Sequence, residues 1–228
     1  MKFSDYDFGP AAKSTMFGSS KASYDSTEWV YENIVVPKIL PKIGVTDSKP
    51  TTVMEKDLSA RMDSKMAADH FWLDESGEDL KVIQTRFRGK HYRSFGDFTI
   101  RYDNINAKDY TGDSVKCEYN HIYADIFMYG ICNAEMDPAT IKDVTDLDTY
   151  IVINLKIFRD LCKSGKIVPT ENLKDETGKR VYSSYVKDGI IYCPINENKG
   201  SKDTRFVAID IKQAYDLFPD LFIEKFGY

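Results

Sequence analysis

Apolar positions along this chain gather into a few runs whose spacing predicts secondary structure. Trp29, Val30, Ile34, Val35 and Ile39 suit one face of a helix. Asp25 or Ser26 is placed to cap that helix, Pro37 to kink or shorten it, and Pro41 to end it. Met54, Leu58 and Met62, after Pro50-Thr51-Thr52, predict a second, short helical stretch. Two β-favouring segments then flank a strongly polar turn. Phe71-Trp72-Leu73 leads into Asp74-Glu75-Ser76-Gly77-Glu78-Asp79, and Leu80-Lys81-Val82-Ile83-Gln84-Thr85-Arg86-Phe87 leads out, which is the pattern of a hairpin. Asp97-Phe98-Thr99-Ile100-Arg101-Tyr102 alternates with period two, so a third strand and a meander of three are expected.

Further along, the mostly apolar run from Ile122 to Gly130 suits a buried strand. Thr149 to Asn154 reads as another strand, running directly into Leu155, Phe158 and Leu161 at helical spacing until Gly165. The C-terminal part repeats this order, with Arg205 to Ile211 as strand and Gln213 to Phe218 as helix. Strand followed at once by helix is the pattern of an α/β protein. The polar, turn-rich stretch near 163–202 reads as an insertion holding one hairpin around Lys187-Asp188-Gly189. Residues 1–24 are rich in Ser, Gly and Lys without a period and are expected to form an extended or partly disordered arm. Residues 25–228 are expected to form a single α/β domain.

Composition narrows the function classes. With 228 residues, 42% hydrophobic and 29% charged, the chain can bury a substantial core. No run approaches the roughly 18 apolar residues of a membrane span, and the N-terminus lacks the apolar segment of a secretory signal. A cytoplasmic protein with no membrane partner is therefore expected. Cys117, Cys132, Cys162 and Cys193 form no CxxC pair and read as reduced thiols. His70, His91 and His121 lack zinc-ligand spacing, and no GxSxG, GxGxxG or Walker sequence is present. A net charge of −5 argues against a surface built wholly to grip a polyanion. The distribution is more telling than the total. From Lys81 to Arg101 six basic residues stand against one acidic, Asp97, while Asp69, Asp74, Glu75, Glu78 and Asp79 crowd just before without a Lys or Arg among them. Carboxylates for a cation beside basic residues for phosphate are what a metal-dependent phosphodiesterase requires.

Asp69 in Ala67-Ala68-Asp69-His70-Phe71, Gln84-Thr85-Arg86 across the hairpin, and Glu28 on the first helix together resemble the active site of the PD-(D/E)xK nuclease superfamily. In that family an Asp opens the second core strand, a (D/E)xK triplet sits on the next, and a Glu on the preceding helix often completes the metal site. The resemblance covers about Asp25 to Phe158. It implies a restriction-endonuclease-like core, a mixed central sheet with a three-strand meander flanked by helices. It further implies Asp69, Gln84 and Arg86 as catalytic residues, and Glu28, Asp69 and Gln84 as ligands of Mg²⁺ or Mn²⁺. Arg88, Lys90 and Arg93 would contact DNA, and a homodimer would suit cleavage of both strands. The triplet departs from the family at two positions. Gln replaces the acid, and Arg replaces the Lys; Arg can hold phosphate bidentately but stays protonated and cannot deprotonate water. A rival placement on Asp97 and Glu118-Tyr119-Asn120 lacks the basic residue. Asp125, amid apolar neighbours, needs a partner to be buried. The alternative implied by Arg86, the net acidity and the Asp74–Asp79 turn is a nuclease-fold protein without catalysis. Such a protein would work through protein contacts as an inhibitor or adaptor, of a kind that a phage or mobile element would encode.

Overall fold

The computed structural model describes residues 21–45, 47–50, 69–73, 79–108, 114–116, 119, 124–197 and 204–228. The expected N-terminal arm up to residue 20, the helical stretch over Met54, Leu58 and Met62, most of the acidic turn, and Glu118 and Asn120 lie outside them. The chain divides into two compact units. The first comprises Met1–Arg93, Tyr123–Ile153 and Ile223–Gly227, and the second Ser94–Ile122, Asn154–Phe222 and Tyr228. The protein is of mixed α/β class, with two mixed sheets and few helices.

In the first unit, α1 (Lys21–Val30) begins ahead of the expected caps at Asp25 and Ser26. It widens into a π-helical turn, Tyr31–Val35, in which Val36 N–H donates to the Tyr31 carbonyl. Pro37 follows at once, and a ring with no N–H to donate is a sufficient cause of that widening. A final turn over Val36–Lys38 leads into a 3-10 segment, Leu40–Ile43, closed by Gly44 at φ 77°. The sheet runs β1 (Ser48–Pro50), β2 (His70–Leu73), β3 (Leu80–Arg88), β6 (Ile126–Cys132), β7 (Leu147–Asn154) and β12 (Phe222–Phe226), in that spatial order. β1, β2 and β3 are successively antiparallel, and β6 joins β3 in parallel. Val30, Tyr31, Ile34 and Val35 of the helix bury against Ile83, Phe87, Ile126, Met128 and Val152 of the sheet. Gly130 sits close under Leu147, whose side chain would have to shift for any Cβ there, since that Cβ would meet the Leu147 Cδ1 at 2.7 Å.

The second unit carries β4 (Asp97–Lys108), β5 (Ser114–Lys116), β8 (Ile167–Thr170), β9 (Tyr185–Lys187), β10 (Ile190–Glu197) and β11 (Thr204–Asp210). Its sheet order is β5-β4-β11-β10-β8, with β9 paired to β10. The expected three-strand meander is thus corrected. The hairpin of β2 and β3 forms, but the alternating segment from Asp97 becomes β4 and pairs with β11 over seven positions from Thr204↔Asn104 to Asp210↔Asp97. Alternation reports that a strand has one buried face and is silent about which strand lies beside it. β7 leads straight into α2 (Leu155–Lys163), and β11 into α3 (Ile211–Leu217), as the strand-helix patterns predict. Asn154 caps α2 by accepting from the backbone N–H groups of Lys156 and Ile157. The turn-rich stretch supplies β8, β9 and β10, and its Asp188-Gly189 turn, with φ of 51° and 71°, closes the β9–β10 hairpin. Asp103, 1% exposed, is held by the Arg205 guanidinium through Nε and Nη2, while Arg205 Nη1 reaches Glu171 at 2.6 Å.

Candidate functional site

The β2–β3 ladder pairs Leu73↔Leu80, Trp72↔Lys81, Phe71↔Val82 and His70↔Ile83, and there it stops. Asp69 stands one residue before β2, with its N–H donating to the Ile83 carbonyl at 2.9 Å. Its carboxylate Oδ2 accepts from the Thr85 N–H at 2.6 Å and from the Thr85 hydroxyl at 3.0 Å. The side chain therefore continues the ladder by one rung past the point where the strand turns away. Such a charge-assisted bond to a backbone N–H is among the stronger protein hydrogen bonds.

Ile83 and Phe87 belong to the core under α1, so alternation along β3 puts Thr85 on that same face and Gln84 and Arg86 on the other. Glu28 stands on the α1 side, where its Oε2 lies 3.8 Å from His70 Nε2. The His70 ring, 1% exposed, stacks on Tyr31 with centroids 3.4 Å apart and planes 8° from parallel. Tyr31 in turn donates to the Ser48 hydroxyl at 2.9 Å. Burial, and then the charge of Glu32, push the Glu28 carboxyl up to about 7. Burial pushes the His70 imidazole down to about 3. The Tyr31 phenol is raised by burial first and then by the charges of Glu28 and Asp69, which places both carboxylates in its vicinity. The sequence pattern singles out neither His70 nor Tyr31 for chemistry. The helical spacing of Trp29, Val30 and Ile34 implies a buried Tyr31, but its stacking partner comes from a strand far along the chain.

Gln84, 3% exposed, has a buried side-chain oxygen with no hydrogen-bond partner among the described residues, which suits a cation ligand. The other donors do not fit the same cation. Glu28 is on the opposite face of the sheet from Gln84, so the two cannot hold one ion together. One oxygen of Asp69 is engaged by Thr85. Among the described residues no three His, Cys, Asp or Glu side chains form a metal-binding group. The structure brings Asp69 and Glu28 to the surroundings of Tyr31 and leaves Gln84 and Arg86 across the sheet.

Of the basic residues at and after the end of β3, Arg88 and Arg93 have local partners. Arg88 lies over the Tyr92 ring at 5.0 Å, and Arg93 pairs with Asp148 at 3.1 Å. Lys90 is exposed, and its N–H donates to the Ala134 carbonyl, beside the pairing of His91 with Glu135. Asp125 accepts from the Val82 N–H at 2.8 Å, capping the start of the parallel β3–β6 ladder. Asp125 is half-buried, and this bond gives its carboxylate a partner within an apolar run. Neither a protein-family model, nor a curated protein, nor a solved structure matches the chain. Among the described residues no helix is long and apolar enough to cross a membrane.

Proposed function

We propose that this chain is a nuclease-like α/β protein that acts by binding and not by hydrolysis, as an inhibitor or adaptor held through protein contacts. The order of elements in the first unit, a helix, three antiparallel strands and then β6 and β7, supports the likeness to the PD-(D/E)xK layout. The observation that carries the reading is the division of the expected metal ligands. Glu28 and Gln84 occupy opposite faces, and Asp69 is engaged by Thr85. Arg86, permanently protonated, cannot take a proton from water. At the end of β2, Leu73 is 57% exposed and adjoins Asp74, Glu75, Glu78 and Asp79 in the sequence, an apolar and acidic combination suited to a basic protein surface. The test is incubation of supercoiled plasmid with the purified protein and Mg²⁺ or Mn²⁺. No nicking is expected, and nicking abolished by Asp69→Ala overturns the reading. Reversing the four acidic residues of the turn to Lys should release the bound partner, whereas Asp69→Asn should retain it.

The Gln84 oxygen, unpartnered among the described residues, favours a second reading, metal-dependent hydrolysis of DNA with Asp69 and Gln84 as ligands and Arg86 on the phosphate. Nicking would then fall with both Asp69→Ala and Gln84→Ala but persist in Glu28→Gln.

A further inference from the structure

The turn-rich stretch of the second unit holds a short antiparallel bridge between Lys174 and Arg180. The flanking bonds, Asp175 N–H to the Lys179 carbonyl and Val181 N–H to the Leu173 carbonyl, make it a non-hydrogen-bonded pair, the kind whose side chains lie closest. Leu173 is buried at 6% exposure, so the two neighbouring cations face outward together. Like charges directly opposed across strands are destabilising. Nearby acids could relieve the clash, yet each is engaged elsewhere. Asp175 accepts from Thr177 N–H, the Thr177 hydroxyl and Lys179 N–H; Glu171 pairs with Arg205; and Glu176 takes the Tyr185 hydroxyl. Two residues beyond Arg180 on the same face is Tyr182, 67% exposed, with the guanidinium 5.1 Å from its ring centre.

We infer that Lys174, Arg180 and Tyr182 form a binding platform for single-stranded nucleic acid, the two cations on backbone phosphate and the Tyr182 ring under an unstacked base. A pair of cations with no acid of its own among the described residues is complementary to phosphate. An exposed ring braced by a guanidinium offers a stacking face that every base can use, and only a single strand leaves its bases free to reach it. An acidic peptide would satisfy the cations and leave the ring unused. The inference is independent of the reading of the β2–β3 hairpin, since it uses none of its residues.

Fluorescence anisotropy of a labelled oligothymidylate with the full chain tests it. Binding is expected to be stronger than to duplex of the same length and to weaken on Tyr182→Ala by roughly 5-fold or more, the effect of losing one stacked base. Tyr182→Phe should bind like the parent. Lys174→Ala with Arg180→Ala should weaken binding and lower the slope of log affinity against log salt by about 0.7 for each phosphate no longer neutralised. All these side chains are exposed, so unchanged circular dichroism is expected of every variant. Absence of binding by the parent chain overturns the inference. So does an affinity unaffected by Tyr182→Ala, or equal affinity for a polyglutamate peptide.

Discussion

Individual side chains carry the electrostatic consequences. Asp103 is almost fully buried and Arg205 only partly, so removing the carboxylate leaves a guanidinium half-desolvated and unpaired on that side. Asp103→Ala is expected to cost about 3 kcal/mol, the lower end of the range for breaking a buried pair, read from urea unfolding. Glu28 and His70 make opposite contributions to the pH dependence of stability. The Glu28 carboxyl is raised from 4.5 to about 7, so its contribution is fully present below pH 4.5 and is lost as pH rises towards 7. The His70 imidazole is lowered from 6.5 to about 3, so its contribution is present above pH 6.5 and is lost as pH falls towards 3. Between pH 4.5 and 6.5 the two oppose each other, so Glu28→Gln should leave the His70 contribution alone and make the urea midpoint rise with pH over that interval, where the parent's stays nearly level. A variant whose midpoint is as level over that interval as the parent's would refute the assignment.

Among the elements, α2 shows how a connection without a loop is made. β7 ends at Asn154, whose extended backbone, φ −75° and ψ 106°, closes the strand while its side chain receives the first free N–H groups of the helix. Asn154→Ala should cost about 1 kcal/mol in urea unfolding, as expected for a lost N-cap, with Asn154→Asp close to neutral. The first helix is the counter-case. No side chain caps its π-helical turn, and Pro37 sets the geometry through what it lacks. The β2–β3 hairpin is continued at its open end by the Asp69 carboxylate, so this residue has a structural task whether or not the protein binds a metal.

At the scale of the whole molecule, Cys132, Cys162 and Cys193 are free thiols among the described residues, and burial raises the Cys132 thiol to about 12 and the Cys162 thiol to about 11, with Cys193 raised as well. Because the thiolate is the reactive form, Cys132 and Cys193 should react with Ellman's reagent at pH 8 only after unfolding in guanidinium, and prompt reaction of either in the native protein would contradict that burial. The elements that could be read from sequence were those whose signal is local. The β2–β3 hairpin, the passages from β7 to α2 and from β11 to α3, and the turn at Asp188-Gly189 depend on periodicity and turn chemistry within a few residues. Sheet membership is not local in this sense. The segment from Asp97 alternates as a third meander strand would, yet it pairs with β11, a strand far along the chain that meets it at Thr204↔Asn104, because pairing depends on which apolar faces meet. The candidate site divides along the same line. Sequence alone placed Asp69 and the Gln84-Thr85-Arg86 triplet at the two sides of one hairpin. Only the tertiary structure decided which face of that hairpin lies under α1, and with it the separation of Glu28 from Gln84, because a strand's alternation defines two faces without saying which one the helix will cover.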